Sequence, residues 1–226
     1  MKENIYRPLG VSDELFKKSE EILEQLAGRF RDLDELQEKN QLRVLQAFIH
    51  AGVTQGSLVG TTGYGYDDQG REALEQIFAE LFESEAALVR HQFSSGTQVL
   101  TCCLRGLLRP GDELLIATGE VYDSLQGTLG RAEDPEDLGS LRDFGISIRQ
   151  LDLNSEGKLK TAEILQALNA KTKLLYFQKS RGYSSRRTLL NPEIGEALRL
   201  AKAKKPGLLV MVDNCHGELT EEHEPT

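Results

Sequence analysis

Between residues 86 and 213, short apolar runs alternate with amphipathic segments at helical spacing. The runs are AALVRHQF, ELLIAT, ISIRQLDL, KLLYFQ and GLLVMVD. Strands this apolar are buried on both faces, and such strands belong to parallel sheets whose crossovers are helices. The intervening segments supply those helices: GTQVLTCCLRGLLRPGD, a short helix inside GEVYDSLQGTLG, TAEILQALNA and NPEIGEALRLAKAK. Thr161 starts the third with Glu163 in its first turn, and Asn191 caps the fourth with Pro192 at its first position. RAEDPEDLGS reads as a polar loop. The alternation predicts an α/β fold with a mostly parallel sheet and flanking helices.

Upstream, the pattern is purely helical. VSDELFKKSEEILEQLAGRF offers Ser12 as a cap and sets Leu15, Phe16, Ile22, Leu23 and Leu26 on one face. LDELQEKNQLRVLQAFIHAG repeats the spacing and stops at Gly52, so two helices are predicted. A glycine-rich stretch follows, with Gly56, Gly60, Gly63, Gly65 and Gly70, and then an amphipathic helix carrying Leu74, Ile77, Phe78, Leu81 and Phe82. The domain reading is an N-terminal helical segment at residues 1–55 and an α/β domain from 56 to 226.

Composition excludes some functions. The formal net charge of −9 is the wrong sign for a nucleic-acid surface. No stretch approaches the roughly 20 apolar residues that span a bilayer. The N-terminus has no apolar signal core, so the sequence predicts a cytoplasmic protein. Three cysteines without framework spacing read as reduced thiols, with Cys103 on the apolar face of its helix.

In parallel sheets, ligands sit at the carboxyl ends of the strands. The first loop there is SSGT, where Ser95, Gly96 and Thr97 open a helix. Free N–H groups and the positive end of the helix dipole suit an anion; the plainer reading is a serine cap. Tyr122 leaves the next strand and can stack on a flat ring; the plainer reading is a surface tyrosine. Asp213 ends the most apolar run, where a carboxylate needs a partner such as a protonated pyridine nitrogen; the plainer reading is a turn cap. Together, in this order, the three meet the needs of a pyridoxal phosphate site.

The stretches TTGYGYDDQGREALEQIFAELFESEAALVR, QFSSGTQVLTCCLRGLLRPGDELL, YDSLQGTLG, QKSRGYSSRRTL and VDNCHGE carry a resemblance. The chain resembles the fold type I pyridoxal-phosphate enzymes, and within them the methionine gamma-lyase family in its aluminium resistance branch. The resemblance implies a PLP-dependent carbon–sulfur lyase of methionine, cysteine or cystathionine metabolism. It implies that Ser95, Gly96 and Thr97 hold the cofactor phosphate, that Tyr122 stacks on the ring, and that Asp213 pairs with the ring nitrogen. It points to Tyr64, Tyr66 and Arg71 as cross-subunit candidates and to Arg181 as a substrate-carboxylate candidate. It also implies a dimer or tetramer acting on a small amino acid, with no membrane or nucleic-acid partner.

One departure stands out. The family's Schiff-base lysine lies downstream of the acid, and residues 214–226 contain no lysine. The lysine and the small C-terminal domain are thus expected beyond Thr226, and the large domain is expected to be incomplete. Lys179 stands at a strand end but precedes Asp213, the wrong order for the family. The alternative reading is a non-catalytic fragment, or half of a split pair, that at most binds phosphate-bearing ligands. The acidic stretch DNCHGELTEEHE reads as a solvated turn rather than a metal site.

Overall fold

The computed structural model describes residues 3–62, 64, 68–130 and 138–225. Four strands form one sheet in the order β2-β1-β3-β4. They are β1 (Glu113–Ile116), β2 (Ser147–Gln150), β3 (Thr172–Gln178) and β4 (Leu209–Asp213), and every pairing is parallel. The α/β class, with a parallel sheet and flanking helices, is therefore as the alternation predicted.

The helices are α1 (Asp13–His50), α2 (Gln69–Leu81), α3 (Gly96–Leu107), α4 (Asp123–Leu129), α5 (Thr161–Ala167) and α6 (Asn191–Lys204). Side chains alternate across β3, as strand geometry requires. Leu174 and Tyr176 join Leu104, Leu125 and Leu129 on the face covered by α3 and α4. Leu175 and Phe177 join Ile164, Ile194, Ala197 and Ala201 on the face covered by α5 and α6. The result is a sheet with helices on both sides, and β3 is buried along most of its length.

Three expectations of secondary structure fail. The two N-terminal helices are a single helix of 38 residues, capped by the Ser12 hydroxyl. No proline interrupts RFRDLDELQ, and Gly28 alone, at a cost of about 1 kcal/mol, does not break a helix. The helix ends at His50, and Gly52 takes a left-handed φ of 61°. The run at residues 86–93 forms no strand. Val89 N–H donates to the Glu75 carboxylate at 3.1 Å instead of to a neighbouring strand. Helix α6 starts one residue early, with Leu190 in the cap position and Pro192 second. The cause is Glu193, whose carboxylate accepts from Leu190 N–H at 3.1 Å, while the Asn191 amide donates to the His223 carbonyl at 2.5 Å.

The acidic tail is not a free turn. Asn40 of α1 donates to the carbonyls of Leu219 and Glu221, and Arg43 donates to that of Glu222. Glu224 is buried and bonded to the Asn214 amide and Leu219 N–H. Cys103 is exposed, not part of the core. By contrast, Leu15, Ile22, Leu26, Phe30 and Leu33 of α1 are exposed.

Candidate functional site

The face of the sheet under α3 and α4 gathers the predicted residues at its carboxyl end. Register pairs Gln178 with Asp213 across β3 and β4, so both side chains fall on the Tyr176 face. The Gln178 amide oxygen accepts from Tyr122 N–H at 2.9 Å, which ties the start of α4 to the end of β3. The Tyr122 hydroxyl shares a hydrogen bond of 2.6 Å with Ser180. The Thr97 hydroxyl donates to Ser124 at 2.9 Å, and Thr101 pairs with Thr128 at 2.8 Å. These two bonds, one helical turn apart, tie α3 to α4 along their length.

At the start of α3, the Ser95 hydroxyl accepts from Gln98 N–H at 3.2 Å, as an N-cap does. The N–H groups of Gly96 and Thr97 precede the first intrahelical bond. A side chain added at Gly96 would meet nothing within 4 Å, so the space over this helix end is open.

Asp213 is 4% exposed. Its Oδ1 accepts from Cys215 N–H at 3.0 Å, and its Oδ2 accepts from the Tyr176 hydroxyl at 3.2 Å. Both of these donors are neutral. Burial pushes the Asp213 carboxyl above the usual carboxylate range, only partly opposed by these two hydrogen bonds. The sign of the pH effect follows. The folded protein holds this proton more tightly than the unfolded chain, so the contribution favours folding below the unfolded value of about 3.9 and is lost as pH rises. Asp213→Asn removes the titration. The variant is expected to melt above wild type at neutral pH, with the gap closing toward pH 4. Thermal melts across that range check this, and parallel curves would refute it.

The loop after β3 also reaches the site. Gly182 has a left-handed φ of 58°, and a Cβ there would stand 3.0 Å from the Tyr122 ring. A glycine here lets the loop lie close against Tyr122 without strain. Arg181 precedes this glycine and is exposed. Arg186 pins the loop by donating to the carbonyls of Gln178 and Ser180.

Tyr64 is 83% exposed. Arg71 forms an ion pair of 2.9 Å with Asp68, the residue that caps α2. Tyr66 lies outside the described residues. Gly70 of the same motif is required locally, since a Cβ would fall 2.3 Å from the Ser57 carbonyl oxygen. Lys179 is 1% exposed and meets Glu221 at 2.7 Å as an ion pair without an aligned hydrogen bond. A cleft between α6 and the tail, lined by Asn191, Ile194, Leu198 and Glu221, does not include Ser95, Tyr122 or Asp213.

Sequence reasoning missed Tyr176, Gln178, Ser180 and Ser124. Gln178 and Ser180 had a usable signal, because both lie at a strand's carboxyl end. Tyr176 had none, since its bond to Asp213 joins two strands.

A family profile described as methionine gamma-lyase matches residues 15–226. The uncharacterised protein YnbB of Bacillus subtilis is 44% identical over 213 residues, covering 94% of this chain and 50% of YnbB. A carbon–sulfur lyase involved in aluminium resistance from Clostridium novyi superposes with a TM-score of 0.92 at 35% identity, covering 97% of this chain and 52% of that one. A Listeria innocua protein whose name also cites aluminium resistance gives a TM-score of 0.88 at 39% identity, covering 95% and 52%. The chain thus spans about half the length of these relatives.

Proposed function

This chain belongs to the methionine gamma-lyase family, and we propose that it forms the cofactor-binding part of a PLP-dependent carbon–sulfur lyase acting on a sulfur-containing amino acid. The observation that carries this is Asp213, a buried carboxylate that accepts hydrogen bonds from two neutral donors, Cys215 N–H and the Tyr176 hydroxyl. A buried carboxylate is tolerated best beside a positive charge, and a protonated pyridine nitrogen supplies one. The open helix start at Gly96 and the half-buried Tyr122 fit the phosphate and ring of the same molecule.

In this reading, Ser95, Gly96 and Thr97 hold the phosphate with hydroxyls and backbone N–H groups. Tyr122 lies against the ring, kept in place by Gln178 and Ser180. Asp213 keeps the ring nitrogen protonated. Arg181 takes the substrate carboxylate with its guanidinium fork. Tyr64, Tyr66 and Arg71 serve a neighbouring subunit's site in an assembled oligomer. The bound cofactor supplies an electron sink for bond breaking next to the substrate Cα. The division at residues 55 and 56 separates the helical segment from this cofactor-binding domain.

The test is a titration of the chain with pyridoxal 5′-phosphate followed by its absorbance. Saturable binding that inorganic phosphate competes away, and that pyridoxal reproduces only weakly, is expected. No saturable binding, or equal binding of pyridoxal, would refute the proposal.

A further inference from the structure

We propose that Tyr176 is a positioning residue for Asp213, fixing from β3 the carboxylate that faces the cofactor's ring nitrogen. This rests on the cofactor reading above. The tyrosine is 1% exposed and its ring packs among Leu104, Val121, Leu125 and Leu129. A phenylalanine would fill that space equally well. The hydroxyl is the part that packing does not explain, and a buried hydroxyl needs a partner. It donates to Asp213 Oδ2 at 3.2 Å.

The arrangement does two things. It splits the hold on Asp213 between elements, with Oδ2 on β3 through Tyr176 and Oδ1 on the turn after β4 through Cys215 N–H. Two donors from different elements fix the plane of the carboxylate, which still has lone pairs for a third donor. It also sets the basicity of the carboxylate. Burial and the Asp213 charge keep the Tyr176 hydroxyl protonated, so it remains a donor. A donor to the charged form favours that form. The ionisable groups acting on Asp213 are Tyr176 from β3 and His216 and Glu218 from the turn, and Tyr122 from α4 acts on Tyr176. Neither His216 nor Glu218 replaces the bond that Tyr176 makes.

The experiment has three arms on the full 226-residue chain. The first follows Asp213 by NMR in cofactor-free protein carrying 13C-labelled aspartate carboxyls. Tyr176→Phe is expected to raise the Asp213 midpoint by about one pH unit, the scale of a lost hydrogen bond to a charged group. Coincident midpoints would overturn the proposal. The second arm is independent of how Tyr176→Phe folds. It compares the ring carbon bearing the Tyr176 hydroxyl in wild type and Asp213→Asn. A displaced resonance is expected, and an unmoved one overturns the contact. The third arm adds pyridoxal 5′-phosphate labelled with 15N in the ring. In Tyr176→Phe, the proton shared by ring and carboxylate should move toward the carboxylate. Equal ring protonation in both proteins overturns the role toward the cofactor. Failure of both proteins to bind the molecule overturns the cofactor reading itself, on a signal separate from the first two arms.

Discussion

Replacing Glu221 with glutamine is expected to lower the unfolding free energy by about 3–5 kcal/mol. Glu221 does two things at once. Its carboxylate meets the buried Lys179 ammonium at 2.7 Å, and it accepts from Asn191 N–H at 3.1 Å at the start of α6. Glutamine keeps an oxygen for Asn191 but leaves a fully buried cation without its charge partner. That is the expensive half of a broken buried pair, since the cation has no route to water. The test is equilibrium denaturation of the single variant beside Lys179→Met/Glu221→Gln. The double variant should recover most of the loss, because an apolar side chain at 179 removes the stranded charge. A single-variant loss below about 1 kcal/mol would show that Lys179 is solvated.

Phe177→Ala should be equally damaging, at about 3–5 kcal/mol. Phe177 has no exposed surface and sits with Leu175, Ile194 and Ala201 under α5 and α6. Truncation leaves a cavity that the central strand, fixed between β1 and β4, cannot close. Leu26→Ala is the internal control. Leu26 is 43% exposed on α1, so its truncation should cost no more than about 1 kcal/mol. Similar losses at the two positions would contradict the two-sided burial of the sheet.

Much of this was legible in the sequence. The parallel sheet followed from apolar runs separated by helical periodicity, because both patterns are local and strong. Ser95 as a helix cap and Asp213 at a strand end followed from the same patterns. The failures share a cause. A strand is made by its neighbour, and the apolar run at residues 86–93 has none here, so β-propensity alone overstated it. The junction inside α1 looked like a boundary because the apolar spacing restarts there, yet no residue at that point disfavours the helix. The start of α6 moved because Glu193 reached back to Leu190, a competition that the Asn-Pro signal does not reveal. The tail looked solvated because it is acidic. Its partners, Asn40 and Arg43, lie far upstream in the chain.

The candidate site was legible by residue type but not by connection. Ser95 was visible as a helix cap, Tyr122 as a residue leaving a strand and Asp213 as a strand-end acid. The network that fixes them, through Ser124, Gln178, Ser180 and Tyr176, runs between elements and appears only once they are assembled.

On the proposed function, these connected residues form one cofactor site on the α3–α4 face. Chemical-shift mapping of the labelled chain with pyridoxal 5′-phosphate tests it directly. Saturable shifts are expected at Gly96, Thr97, Tyr122 and Cys215. Shifts confined to the cleft between α6 and the tail, or none at saturating ligand, would contradict it.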